Sequence, residues 1–94
     1  MILIITTSQD PELGRKLVER KVVACASRDE VTSVYWWKGK MEEEKEYRFF
    51  LKTTEEKKEE AIKALKELHD YEVPEILVIK AEANPEYLEW MQNL

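Results

Sequence analysis

The sequence predicts an α+β domain of ferredoxin-like topology: a β-α-β-β-α-β sandwich with one long β2-β3 hairpin and an added C-terminal helix. Three observations predict it. Strand-like and helix-like stretches alternate in that order along all 94 residues. Only 2 glycines and 3 prolines are present, so regular structure should fill most of the chain. No linker, repeat or low-complexity stretch divides it, which predicts a single domain over residues 1–94.

The first strand and helix are marked clearly. Ile2–Thr7 is a short, β-branched apolar run, which is typical of a central strand covered on both faces. Asp10 is a good N-cap and Pro11 suits the first helical position, so a helix should start here and end near Arg20. Gly14 lies inside that helix and is less favourable than alanine by about 1 kcal/mol. Close packing of Gly14 on the sheet is the expected reason.

A long hairpin should follow the first helix. The strand pattern begins at Val22–Ala26, is interrupted at 27–30 by a bulge, a bend or simple exposure, and resumes over Val31–Trp37. Lys38-Gly39 has the length and composition of a two-residue hairpin turn. The return strand runs on to Thr53. Each arm is then more than twice the length of an ordinary strand of about 5–6 residues.

The second half predicts one more helix, strand and helix. Thr53 and Glu56 fit a capping box that opens the second helix, whose apolar side ends at His69. A loop over 70–73 leads to a fourth strand over Ile76–Ala81. Asn84-Pro85 repeats the cap-plus-proline start and predicts a short C-terminal helix.

The hairpin predicts self-association. Two helices cannot cover so long a sheet, and monomers rarely expose apolar patches as large as its distal half, formed by Tyr35, Trp36, Trp37, Met41 and Tyr47. Its free edges would also pair with other chains. A closed homo-oligomer solves both problems. The alternative is a hairpin that folds back at 27–30 onto its own domain.

The net charge and the cysteine content indicate which binding partners and which cellular compartment to expect. The net charge of -5 argues against binding to nucleic acid or to an anionic membrane surface. The single cysteine suits a reducing compartment, and no stretch reaches the ~20 apolar residues of a membrane helix, so a cytoplasmic location is expected. The dominance of Lys and Glu is typical of hyperthermophilic or of designed proteins.

Few residues could carry chemistry, and no known catalytic or phosphate-binding motif is present, so no enzymatic activity is expected. Cys25 is either a small buried hydrophobe or a soft ligand for copper. His69 is either a hydrogen-bonded residue at a helix end or a neutral metal ligand. The run Glu42–Glu44 is either a solvated face or a weak site for hard cations.

Six segments, in their order and spacing, resemble the CutA family of divalent-cation tolerance proteins: 24–26 (ACA), 35–40 (YWWKGK), 45–46 (KE), 51–54 (LKTT), 68–76 (LHDYEVPEI) and 87–90 (YLEW). The resemblance covers essentially the whole chain. It implies a homotrimer assembled through the long hairpins and a link to tolerance of divalent metals, copper above all. It also implies that Cys25 and His69 are metal ligands. The residues that it places around the inter-subunit cleft are Tyr35, Trp36, Trp37, Lys52, Tyr71 and Trp90.

The chain departs from the usual family pattern in four places. Asp70 stands where proline is usual, and Ser27 stands where asparagine is usual. The first helix is shorter by about one turn, ~4 residues, and the C-terminal helix stops early. These departures suggest a shortened or engineered member. The leading interpretation is a non-catalytic, copper-binding trimer that requires no cofactor and binds copper or another divalent cation as a ligand. The alternatives are a metal-independent structural or designed scaffold and a small-molecule-sensing signalling trimer, which the two-residue hairpin turn disfavours.

Overall fold

A computed structural model describes residues 1–94 and shows one four-stranded antiparallel sheet with strand order β2-β3-β1-β4. The strand order and the element order confirm the predicted ferredoxin-like topology. The longest helix has 11 residues, and no helix has the length and apolar character needed to cross a membrane. The elements are β1 (Ile2–Ser8), α1 (Leu13–Glu19), β2 (Cys25–Trp37), β3 (Lys40–Thr53), α2 (Lys58–Leu68), β4 (Leu77–Lys80) and α3 (Pro85–Gln92).

The core lies on one side of the sheet, called the front face here, where α1 and α2 pack. Its members are Ile2, Ile4, Leu13, Leu17, Val23, Phe49, Leu51, Ala61, Ala64 and Leu65. Side chains of β1 alternate between this core and the opposite, back face, where Leu3, Ile5 and Thr7 stay half-buried. The prediction that β1 is a central strand covered on both faces therefore holds fully for the front face, where α1 and α2 pack, and partly for the back face within one chain.

Gly14 lies where α1 approaches the sheet most closely. A Cβ added at this position would be 2.9 Å from the Cβ of Ala26 and 2.9 Å from Cδ1 of Phe49. Neither neighbour is the free end of a flexible side chain, so neither can move away at low cost. The expected close packing of Gly14 is confirmed.

Replacing Gly14 with alanine should lower the free energy of unfolding, although alanine is the better helix former by about 1 kcal/mol. Overpacking typically costs about 1–3 kcal/mol, so the net loss should be about 1 kcal/mol. Thermal or urea unfolding measures it. Glu19→Ala, at an exposed position of the same helix, is the control and should change stability little. A higher melting temperature for Gly14→Ala would contradict the close contact.

The way α1 ends explains why β2 starts later in the sequence than predicted. Lys21 has a φ of 61°, its N–H donates to the carbonyl of Val18 (2.9 Å), and the Val22 N–H donates to the carbonyl of Leu17 (3.4 Å). These two bonds form a Schellman motif, in which glycine usually occupies the left-handed position. The chain is still turning at Val22, so β2 begins at Cys25 and not at Val22 as predicted.

The hairpin is continuous. From Cys25 opposite Lys52 to Trp37 opposite Lys40, the register never shifts, so residues 27–30 form neither a bulge nor a bend. They are simply exposed, which was the third alternative. Lys38 and Gly39 have φ angles of 50° and 79°, as a type I′ turn requires. The domain measures 45 × 24 × 19 Å, which shows that the hairpin extends away from the core and does not fold back onto it.

The predicted capping box at the start of α2 is wrong. The Thr53 hydroxyl donates to the carbonyl of Val22 at 2.8 Å, and α2 begins only at Lys58. Thr54 takes part in the local turn, because its hydroxyl accepts a hydrogen bond from the Lys57 N–H at 3.2 Å. The fourth strand, at Leu77–Lys80, is one residue shorter at each end than the sequence predicted.

Candidate functional site

Cys25 lies on the back face at the base of the hairpin. It pairs with Lys52, which in turn pairs with Leu3, so the three side chains share that face. The Lys52 ammonium is 4.0 Å from the Cys25 sulfur. Burial, and after it the adjacent Cys25, raises the pKa of Tyr87 in α3. Cys25 is therefore an unpaired, partly exposed thiol between a lysine and a tyrosine hydroxyl.

His69 lies just beyond α2, with only 1% of its side chain exposed. The Thr6 hydroxyl donates to the carbonyl of Glu75 at 2.6 Å, so it accepts a hydrogen bond from Nε2 of His69 at 3.1 Å. Nδ1 accepts the N–H of Tyr71 at 3.1 Å. Both ring nitrogens are thus occupied within the chain, and the pattern favours the neutral tautomer protonated at Nε2.

The structure does not bring the two predicted metal ligands together. His69 contacts Thr6, whose side chain belongs to the front face, whereas Cys25 belongs to the back face. One ion cannot reach both within a single chain. No group of three or more His, Cys, Asp or Glu side chains is placed to hold a metal ion.

Asp70 fixes the loop after α2 to the end of β1. One carboxylate oxygen accepts the Ser8 hydroxyl at 2.7 Å, and the other accepts the Gln9 N–H at 3.2 Å. A proline at this position could make neither bond. The difference from the usual family residue therefore has a local structural role, and it holds the loop against the sheet.

A cavity of about 690 Å³ opens on the back face between the distal hairpin and the loop at 70–75. Tyr35, Trp37 and Tyr71 contribute aromatic rings to its wall, and no Lys, Arg or His lines it. Its carboxylates come from Glu42, Glu44, Glu46, Asp70, Glu72 and Glu75. Three of the predicted cleft residues are thus brought together in an acidic and aromatic setting.

The inner wall of this cavity is a hydrogen-bonded chain. The Tyr71 hydroxyl donates to Oε1 of Glu46 at 2.6 Å and accepts a hydrogen bond from the Gln9 amide at 3.1 Å. Burial, followed by the bond to Glu46, raises the pKa of Tyr71. At the outer wall, desolvation, followed by the charge of Glu44 and a hydrogen bond to it, raises the pKa of Tyr35. Both tyrosines therefore stay protonated and can act as donors.

The other predicted cleft residues lie elsewhere. Trp36 is on the front face, 74% exposed, opposite Met41, which is 67% exposed. Lys52 is beside Cys25. Trp90 is on α3, where its ring centroid is 5.4 Å from that of Tyr87. Within one chain, three of the six residues therefore line the cavity together, and the other three lie at separate positions.

Sequence reasoning missed the acidic wall of the cavity. The sequence alone predicts a solvated face or a weak cation site at 42–44 and assigns no role to Glu46. The sequence signal that could have revealed this wall is the two-residue period of a strand. It places Glu42, Glu44 and Glu46 on one face of β3, which is also the face of Tyr35 and Trp37.

Comparison with known proteins identifies close relatives. The family model for the CutA1 divalent ion tolerance protein matches residues 1–94. The divalent-cation tolerance protein CutA of Thermotoga maritima is 41% identical over 98 residues, which cover 99% of this chain and 97% of the relative. The CutA of Thermococcus kodakarensis is 44% identical, with 99% and 94% covered.

Solved structures agree with this match. CutA1 of Pyrococcus horikoshii superposes with a TM-score of 0.89 at 41% identity, with 99% of this chain and 96% of that chain covered. The PII-like protein CutA of Nostoc sp. PCC 7120, in its apo form, gives a TM-score of 0.92 at 31% identity, with 97% and 93% covered. The periplasmic divalent cation tolerance protein CutA of Archaeoglobus fulgidus gives 0.88 at 30% identity, with 99% and 97% covered.

Proposed function

The chain belongs to the CutA1 divalent ion tolerance protein family, and from that premise we propose that it is a non-catalytic homotrimer that binds divalent cations, copper above all, in the cytoplasm. The observation that carries the proposal is Cys25, an unpaired thiol that is partly exposed on the back face. Thiolate is among the ligands that copper prefers. Binding a cation needs no reactive residue, which agrees with the lack of a catalytic motif in the sequence.

A second copy of the chain is the natural source of further ligands. Leu3 and Ile5 are only half-buried on the back face that also carries Cys25, and both edge strands, β2 and β4, lack a partner on one side. Covering this face with another chain would bury apolar surface and pair an open edge. Trimerisation would then place residues of a neighbouring copy close to Cys25.

His69 is proposed as a ligand at a separate position. A metal ion there must displace either the bond to Thr6 or the bond from the Tyr71 N–H. The donors beside Cys25 are the Lys52 ammonium, 4.0 Å from the sulfur, and the Tyr87 hydroxyl, and a thiol sulfur accepts hydrogen bonds only weakly. Cys25 should therefore hold copper more tightly than His69 does.

Cys25→Ser should weaken copper binding at least tenfold, whereas His69→Gln should weaken it less, because the sites are separate and His69 is already hydrogen-bonded. Isothermal titration calorimetry under reducing conditions measures both constants. The double variant tests independence, since the two effects should add. Unchanged copper affinity in Cys25→Ser would contradict the assignment of the thiol.

A second candidate function is a metal-independent structural trimer, natural or designed. It is favoured by the lack of any three metal-binding side chains in one place. The melting temperature distinguishes the two, because a metal that binds the folded state raises it in proportion to the logarithm of metal concentration. A melting temperature that does not respond to copper would favour the structural trimer.

A further inference from the structure

A pocket of about 270 Å³ opens on the front face, where α1 meets the base of β2. Ala26 and Phe49 line it from the sheet, and Gly14 and Val18 line it from α1. The pocket lies apart from both surfaces that a second copy is proposed to cover. It is not on the back face, and the exposed apolar side chains of the distal hairpin begin at Val34, eight residues past Ala26 and about 27 Å away along β2.

Arg28 brings an unpaired positive charge to this pocket. It is the only one of the four arginines that forms no ion pair, since each of the other three pairs with a carboxylate. Its Nη1 donates to the carbonyl of Pro11 at 2.5 Å, and its guanidinium carbon lies 5.4 Å from the ring centroid of Tyr47. These two contacts hold the guanidinium in place, and its remaining N–H groups have no acceptor in the chain.

A second guanidinium lines the same pocket. Arg15 donates only through Nε, to Oε2 of Glu12 at 2.9 Å, so its terminal nitrogens have no acceptor in the chain. Glu12 is the one carboxylate among the lining residues. Two guanidiniums and one carboxylate give the pocket a positive charge, although the chain as a whole has a net charge of -5. The pocket therefore attracts anions to one place on an otherwise acidic chain.

The chemistry of the lining favours an organic anion over a metal ion. Guanidiniums repel metal cations, and their forked N–H groups match the two oxygens of a carboxylate. The apolar lining suits a ligand that also has an apolar body, as ligand pockets generally combine apolar walls with a few polar groups. The volume is just below the usual range of about 300–1,000 Å³, so the ligand should be small.

We propose that this pocket binds a small aromatic carboxylate. The carboxylate oxygens accept hydrogen bonds from Arg28 and Arg15, and the ring lies against Val18 and Ala26. The site uses neither a metal ion nor Cys25, which belongs to the back face. It therefore adds a second class of ligand, and it does not depend on the proposed binding of copper.

Titration of the full chain, labelled with nitrogen-15, with sodium benzoate tests the proposal. Saturable shifts of the backbone amide signals of Gly14 and Arg28 are expected in the NMR spectrum. Arg28→Gln should weaken benzoate binding about tenfold, because it removes charge-assisted hydrogen bonds. Arg28→Lys keeps the charge but loses the fork, so it should recover only part of the affinity. Arg20→Gln is the matched control: it removes the same charge at the far end of α1, outside the pocket, and should weaken binding less than twofold.

Three results would overturn the proposal. One is the absence of saturable shifts in the wild-type chain. Weaker self-association of Arg28→Gln in sedimentation would then show that an acidic side chain of a second copy occupies the pocket. Another is equal weakening by Arg20→Gln and Arg28→Gln, which would mean diffuse charge attraction. The last is equal affinity for benzoate, acetate and inorganic phosphate, which would mean that the apolar lining contributes nothing. Circular dichroism checks folding. If Arg28→Gln unfolds, Arg15→Gln replaces it, because that side chain is 72% exposed, and it should weaken binding about threefold.

Discussion

Phe49→Ala is expected to lower the free energy of unfolding by about 4 kcal/mol, the largest loss from any single truncation proposed for this chain. Phe49 is 2% exposed and is among the largest fully buried side chains. It lies opposite Thr6 in β1 and opposite Arg28 in β2, and its ring edge is the surface that Gly14 of α1 approaches. Removing the ring would leave a cavity where helix and sheet meet.

Small domains have a total stability of about 5–15 kcal/mol, so this one change should remove a large part of it. Urea unfolding measures the loss directly. Phe50→Ala is the matched comparison, since it truncates the same side chain one residue later on the back face. Phe50 is half-buried, and the Arg48 guanidinium lies 5.3 Å from the centroid of its ring. In dissociated chains, Phe50→Ala should therefore lower the free energy of unfolding by less than Phe49→Ala does. An equal or greater loss for Phe50 in dissociated chains would mean that the core is misplaced.

The topology could be predicted because its signals are local. The two-residue period of the hairpin arms, the Lys38-Gly39 turn and the Pro85 helix start each lie within a few residues. The wrong predictions concern local features that depend on contacts with residues far away in the sequence or on an unusual backbone conformation. Thr53 does not cap α2, because its hydroxyl is taken by Val22, 31 residues away in sequence. The late start of β2 depends on Lys21 in a left-handed conformation, for which lysine gives no signal.

In the candidate site, too, the features set by local sequence could be predicted and those set by long-range contacts could not. Register alone places Cys25 beside Lys52, and alternation places Glu46 on the face of Tyr35. For His69 the sequence leaves two interpretations open, a hydrogen-bonded residue at a helix end and a metal ligand. Its hydrogen bond to Thr6 spans 63 residues, so its burial could not be deduced from the residues around it. The cavity itself forms only because the loop at 70–75 returns to the end of β1, again a long-range contact.

The distal front face of the hairpin supports the other prediction of large effect. Val34, Trp36 and Met41 are 58%, 74% and 67% exposed on adjacent positions of β2 and β3. Neither α1 nor α2 reaches them, since both pack at the base of the sheet around the core. The type I′ turn at Lys38-Gly39 and the unbroken register keep the two strands paired to the end of the hairpin, so this end presents an ordered apolar surface. A second copy is the proposed occupant of that surface.

Replacing Trp36 with glutamate and Met41 with lysine should therefore dissociate the assembly. The two positions face each other across the strands, so the new opposite charges keep the hairpin paired. Burial of each side chain contributes about 2 kcal/mol, so each interface should lose about 4 kcal/mol, or about a thousandfold in its dissociation constant. Sedimentation equilibrium at micromolar concentration should give a trimer for the wild type and a monomer for the variant. Trp36→Phe with Met41→Leu keeps the apolar surface and should stay trimeric. A wild-type monomer would refute the trimer, and a charged variant that remains trimeric would show that the back face and the strand edges alone hold the copies together.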